Sequence, residues 1–440
     1  MNKKGSLVKN TIKQFKENIL VLNSSIYFSS NILNAAIPFL LLPILTRYLL
    51  PSEYGEIAMF QLLLAILVSM MGFGAIGASV RSFYEDKNNK EEGREYIGSC
   101  LIVLMMSGLL FVSIILVSEK KLVALLNLDK VWILLTLVIA FLTFIVQLRL
   151  TQYQIRGKAA IYGVIQVGQT LLTMGISLVL IIKFLEGPEG RLYGQLFTAL
   201  IFSGVSLYYL YKDNIFLINL NFKQIIKVLK FGIPTIPHEL GIIILAFADR
   251  FYINQKLGLS EAGIYMVAIQ IAAIMGVATS SINNAYVPWL FERLKRNIYS
   301  EKLQIVKFTY IYFFITIILA ILSFYMAPAI IKIIAGNNYS SAAEVVGWLF
   351  LSQAFTGMYL MVTNYIFYTG KTIILGINST ISCFAYITLL NFFIVQYGIK
   401  GAAIASALIM LLRFLTVWFF ANRCFQMPWL FFMKKYRYEA

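Results

Sequence analysis

Apolar stretches of about 20 residues recur along the whole chain, and each is long enough to cross about 30 Å of hydrocarbon. By that length rule there are about twelve: 25–45, 56–79, 97–117, 131–149, 160–183, 191–211, 230–249, 262–288, 307–326, 342–367, 373–396 and 401–421. Their backbones must be helical, because an unpaired amide in lipid costs several kcal/mol. The 440 residues are 60% hydrophobic and only 13% charged, too little polar surface for a soluble protein of this size. The expected fold class is therefore all-α integral membrane.

The second constraint is a duplication. Thr46-Arg47-Tyr48 precedes Ser52-Glu53-Tyr54-Gly55 and an apolar run; Asp249-Arg250-Phe251 precedes Ser260-Glu261-Ala262-Gly263 and another. Gly157-Lys158 with Gly163 recurs as Gly370-Lys371 with Gly376, and Gly187-Pro188-Glu189-Gly190 as Gly398-Ile399-Lys400-Gly401. Each half holds an even number of spans, so the repeats are parallel, related by an axis along the membrane normal. The expected layout is a cytoplasmic amphipathic lead-in (1–22), an N-terminal six-helix bundle (23–211), a cytoplasmic linker (212–229) that lets the bundles rock, a C-terminal six-helix bundle (230–422) and a cytoplasmic tail (423–440). Val8, Ile12, Phe15 and Ile19 fall on one helical face, with Lys9, Lys13 and Lys16 off it, which suits either an interfacial helix or an ordinary lead-in. Trp429, Phe431, Phe432, Lys434 and Lys435 read as an aromatic-basic interfacial tail.

The net charge of +17 fits a membrane better than nucleic acid, which is not an expected partner. Lys and Arg gather in alternate loops, roughly 26 against 10, so both termini are expected on the cytoplasmic side. That basic face also favours anionic lipids. Cys100, Cys383 and Cys424 make no CxxC pair and no metal spacing, so no metal is expected.

The duplicated segments resemble the O-antigen (Wzx-type) flippases, a polysaccharide-export family in the superfamily of the multidrug-and-toxin extruders and lipid II flippases. The residues carrying the resemblance are Phe231-Gly232-Ile233-Pro234, Asp249-Arg250-Phe251-Tyr252-Ile253, Gly263-Ile264-Tyr265, Thr369-Gly370-Lys371 and Tyr397-Gly398-Ile399-Lys400-Gly401-Ala402-Ala403. The lipid II flippases usually carry fourteen spans, two more than expected here. The resemblance implies a MATE-like arrangement in the bacterial cytoplasmic membrane and transport of a polyprenyl-pyrophosphate-linked oligosaccharide by alternating access. It further implies proton or sodium coupling, and a glycan polymerase and chain-length regulator as partners.

Polar groups inside hydrocarbon are the best pointers to a site, since a central Arg or Asp costs about 2.5–3.5 kcal/mol on insertion scales. Arg413 lies mid-way along the last span, where it either meets a phosphate in a wet interior or packs against helix carbonyls. His238 and Glu239 follow Pro234 and Pro237, where a broken helix either lines a site or is braced by the pair. With Asp249 they are the candidate ion couplers. Arg47 and Arg250, at equivalent outer ends of the two halves, either receive a pyrophosphate or anchor the interface; Arg81 and Arg149 do the same at inner ends. In-span amides at Asn34, Gln166, Gln169, Asn283, Asn284, Gln353, Asn364, Asn378 and Asn391 suit sugar hydroxyls and interhelical hydrogen bonds equally.

Other motifs lead nowhere. Gly370-Lys371-Thr372 ends like a Walker A loop, but its earlier glycine is Tyr365, so neither ATP hydrolysis nor any cofactor is expected. Asn338-Tyr339-Ser340 is a bare sequon. A drug-cation antiporter is the nearest alternative, although deep Arg413 favours an anion. A polytopic glycan polymerase is the third, and the chain lacks the sizeable outer loop expected of one.

Overall fold

The computed structural model describes residues 3–85 and 90–430, with the side chains of 3–21, Ser24, Glu85 and Lys90 left aside. The face expected at Val8, Ile12, Phe15 and Ile19, and the tail beyond Leu430, therefore lie outside the described residues. Every regular element among those described is helical: α1 (Lys3–Tyr48), α2 (Pro51–Met70), α3 (Ala75–Glu85), α4 (Lys90–Leu126), α5 (Lys130–Ile155), α6 (Ala159–Lys183), α7 (Glu189–Lys212), α8 (Phe222–Gly232), α9 (Ile236–Leu257), α10 (Leu259–Arg296), α11 (Tyr299–Ile334), α12 (Ala343–Tyr368) and α13 (Ile373–Cys424).

Ten helical stretches among the described residues are long and apolar enough to cross a bilayer, against the twelve expected. Two features account for the difference. α7 is helical but falls outside that set. α13 counts once, although Gly398 takes a positive φ of 57° inside it. There the chain doubles back: a Cβ on Gly401 would sit 1.9 Å from the Phe393 carbonyl oxygen, and Asn378 donates to Thr416 at 2.6 Å.

The duplication is visible in backbone detail. Gly157 and Gly370 have φ of 70° and 72°. Gly157 N–H reaches Gln154 O at 3.1 Å and Lys158 N–H reaches Tyr153 O at 2.9 Å; Gly370 N–H reaches Phe367 O at 3.1 Å and Lys371 N–H reaches Ile366 O at 3.2 Å. Both copies are Schellman caps, which need a residue in the left-handed region after the helix and so select glycine. Gly187 repeats the positive φ of Gly398.

The chain divides into two compact units, 1–41 with 60–240 and 42–59 with 241–440. In the first, α1 lies along α6, where a Cβ on Gly163 would meet Ser30 Oγ at 2.4 Å. Gln166 donates to Asn31 at 3.2 Å and Thr170 to Asn34. α2 gives way to α3 through a break at Gly72, Phe73 and Gly74, all at positive φ. Gly232, at the end of α8, packs into that break, its hypothetical Cβ 1.8 Å from Phe73 O. The 212–229 stretch, expected as a connector, is strapped to this unit. Arg94 bonds Asn214 at 2.8 Å, Glu95 accepts from Asn219 and Asn221 at 3.1 and 3.0 Å, and Glu92 accepts from Gln224 and Lys227 at 3.0 and 3.1 Å.

In the second unit α12 packs against α10, α11 and α13. One of its buried clusters carries six aromatic rings, Tyr286, Tyr312, Phe313, Tyr365, Phe414 and Trp429, among Leu, Ile, Val and Met side chains. Trp429, expected at an interface, is only 6% exposed, and its carbonyl accepts from Tyr310 at 2.8 Å.

Candidate functional site

Three polar places inside the helices stand out. The first is in unit 1. Thr143, Gln147, Thr151 and Gln154 fall at i, i+4, i+8 and i+11 along α5, one helical face. After the tight turn at Gly157, Tyr162, Gln166, Gln169 and Thr170 do the same on α6. The two stripes and Asn34 of α1, with Ile76, Val146 and Leu150, line an open cavity of about 350 Å³. Asn34, Gln166 and Gln169 were marked by sequence; the α5 face was not, although its period of four is the signal that finds it.

The second is Arg413. Its guanidinium lies over the Tyr359 ring at 4.7 Å, one Nη donates to Ser379 at 3.3 Å, and Nε is buried without a hydrogen-bond partner. Among the described residues no carboxylate pairs with it. When Gly157-Lys158 is aligned with Gly370-Lys371, Ser379 occupies the position of Gln166. The duplicated helix thus carries an amide in one copy and a contact to arginine in the other.

The third is Asp249, 5% exposed. Its carboxylate accepts from the Arg250 backbone N–H at 2.8 Å and from Tyr265 OH at 3.1 Å, and Tyr386 adjoins it. The Arg250 guanidinium lies over Phe247 at 4.7 Å, and its Nε is buried without a hydrogen-bond partner.

The remaining sequence candidates are dispersed. Arg149 is 1% exposed, ion-paired to Asp213, hydrogen-bonded to Tyr153 at 2.8 Å and stacked on that ring at 3.9 Å. Arg81 lies over Phe231 at 5.3 Å. Arg47, His238 and Glu239 are exposed. Of the in-span amides, Asn364 donates to Asn283 at 2.8 Å, whereas no hydrogen bond joins the side chains of Gln147, Gln154 or Gln169 to another described residue.

The described residues thus form a helical multi-pass membrane protein with a guanidinium that no carboxylate pairs and an amide-lined cavity. The family model described as "Polysaccharide biosynthesis protein" matches residues 20–294, and the chain belongs to that family. A "Lsg locus putative protein 1" of Haemophilus influenzae is 26% identical over 92% of this chain and 98% of its own length. The "Capsular polysaccharide biosynthesis protein CapF" of Staphylococcus aureus is 25% identical over 92% and 100%. A "Putative O-antigen transporter" of Shigella flexneri is 23% identical over 52% of this chain and 56% of that one. Among solved structures, the lipid II flippase MurJ in an inward closed conformation shares the fold with a TM-score of 0.74 at 16% identity, covering 91% of this chain and 87% of that one. An inward-facing multidrug resistance MATE family transporter does so at 0.62 and 17%, over 89% and 97%.

Proposed function

We propose that this protein is a flippase that carries a polyprenyl-pyrophosphate-linked oligosaccharide, an O-antigen or capsule repeat unit, from the inner to the outer leaflet of the bacterial cytoplasmic membrane, with both termini cytoplasmic. Arg413 carries the reading. An arginine amid apolar helix, with a buried nitrogen that lacks a hydrogen-bond partner and no carboxylate to neutralise it among the described residues, calls for an anionic ligand. A planar guanidinium holds a phosphate by paired charge-assisted hydrogen bonds and keeps its charge throughout. Arg47 and Arg250 are the proposed receivers on the outer side. On the inner side Arg81 has that role, and Arg149, committed to Asp213, braces the helix beside it. The drive is an ion gradient, with Asp249 as the coupling carboxylate for a proton or sodium ion and His238 and Glu239 beside the helix break at 233–235 as secondary candidates. Export to the outer face would feed a glycan polymerase and its chain-length regulator.

The test is deletion in the host followed by complementation. Complete lipid-linked units should accumulate on the cytoplasmic face; Arg413→Ala should fail to restore export, and Arg413→Lys should restore it in part. A normal glycan with altered drug sensitivity would instead make the chain a cation antiporter, the reading that buried Asp249 would then serve. Unpolymerised units outside would make it a polymerase.

A further inference from the structure

The cavity in unit 1 has a composition that the phosphate argument does not use. Among the described residues no Lys, Arg, Asp or Glu lines it. Its polar wall is neutral: Asn34, Gln147, Gln154, Gln166 and Gln169 with three threonines, beside the Tyr162 ring. In-span amides usually hydrogen-bond to neighbouring helices, each such bond being worth roughly 0.6 kcal/mol. Here that pattern fails for most of the wall. Gln166 uses its NH₂ group on Asn31 while its Oε1 is buried without a partner. The amides of Gln147, Gln154 and Gln169 bond to no other described side chain or backbone group. Polar groups left open in a membrane bundle are met by water or by a ligand in a cavity, since hydrocarbon cannot satisfy them.

We infer that this cavity is the sugar-reading subsite, taking a neutral saccharide rich in hydroxyl and acetamido groups, while the pyrophosphate is held elsewhere. This rests on the flippase reading above and adds where the glycan, as distinct from its phosphate, is recognised. Each amide offers two donors and an acceptor, the pattern that alternating hydroxyls and acetamides complement, and Tyr162 offers a ring face. A cavity of about 350 Å³ is at the lower end of small-ligand sites and holds about one or two sugar rings rather than a long glycan. Gln147 lies ten residues from the Gly157 turn, about 15 Å along the helix, so the lining residues of α5 run from there toward the Arg156–Lys158 end, the expected inner side.

The experiment compares two lipids on the full-length protein in detergent: undecaprenyl pyrophosphate alone, and the same lipid carrying a neutral N-acetylated disaccharide. The Gln147→Leu/Gln169→Leu variant should bind the glycosylated lipid about tenfold more weakly, the combined size of two neutral hydrogen bonds, and the bare lipid as wild type does. Arg413→Ala should weaken both. If the leucine pair fails to fold, Gln147→Asn/Gln169→Asn retains the amides at a shorter reach and should show a smaller loss, again on the glycosylated lipid only. Unchanged binding of both lipids, or an equal loss on both, overturns the sugar subsite while leaving the flippase reading intact. A wild-type protein that binds neither lipid overturns the flippase reading, and the subsite with it.

Discussion

At the scale of single residues, burial separates arginines that the sequence presents as alike. Arg149 and Arg413 both interrupt apolar helices, but Arg149 has Asp213 and Tyr153 while Arg413 has Ser379, the Met410 sulfur and an aromatic face, with no carboxylate among the described residues. The Arg149–Asp213 pair is lopsided, with side chains 1% and 33% exposed. Removing the carboxylate strands a buried charge, whereas removing the guanidinium leaves a carboxylate that water still reaches. Asp213→Ala should therefore destabilise by about 3–5 kcal/mol, as when one partner of a buried pair is lost, and Arg149→Met by distinctly less. The check is the apparent melting temperature of both variants in detergent; equal losses would mean that Asp213 is not what neutralises Arg149. Sequence could mark Arg413 because a charge mid-way along the apolar stretch 401–421 has no local excuse. It could not separate Arg149 from it, because Asp213 lies 64 residues away and only the fold brings the two together. The open amides of α5 were legible in principle, through the spacing of Thr143, Gln147, Thr151 and Gln154, but each amide read singly looks like an interhelical bond.

At the scale of elements, the duplicated Ser-Glu-x-Gly segments turn out to meet each other. Gly55 of α2 faces Leu259, and Gly263 of α10 faces Pro51: a Cβ on Gly55 would lie 2.0 Å from Leu259 O, and one on Gly263 would lie 1.9 Å from Pro51 O. Positions 51 and 259 are themselves equivalent in the repeat, so the contact is reciprocal, as at a two-fold axis. Both clashes are with backbone, which cannot rotate away, so the helix starts must separate to admit even a methyl group. Thr46 to Ile334 O at 3.3 Å, Tyr339 to Leu49 O at 2.9 Å and Tyr54 to Gln270 at 3.3 Å hold the same corner. Gly55→Ala and Gly263→Ala should each destabilise by about 1–3 kcal/mol. The double variant should cost much less than their sum, because one separation relieves both clashes. Additive losses in a thermal or denaturant series would show that the two glycines act independently. Sequence shows that the two segments are copies; that they touch depends on the path of the chain between them, which local pattern does not encode.

At the scale of the molecule, the compact units do not coincide with the halves of the repeat. Residues 42–59 of the first copy belong to the second unit, and α8 with the start of α9, through Leu240, belongs to the first. A duplication read in sequence dates the gene's two copies, whereas packing decides which helices move together, so helix content and repeat were legible and the unit boundaries were not. Orientation in the membrane follows from a different force, the retention of Lys and Arg on the cytoplasmic side during insertion. That force acts loop by loop, so it makes a prediction for single positions. Lys121, near the end of α4, and Ser300, at the start of α11, are both exposed and are expected on opposite faces. In a background with Cys100, Cys383 and Cys424 replaced, Lys121→Cys should react with a membrane-impermeant maleimide added to intact cells, and Ser300→Cys only after the cells are opened. The reverse pattern would invert the topology and the direction of transport argued from it. Labelling of both positions from outside would require an even number of spans between residues expected to be separated by an odd number, and would remove the basis for reading the two halves as parallel repeats.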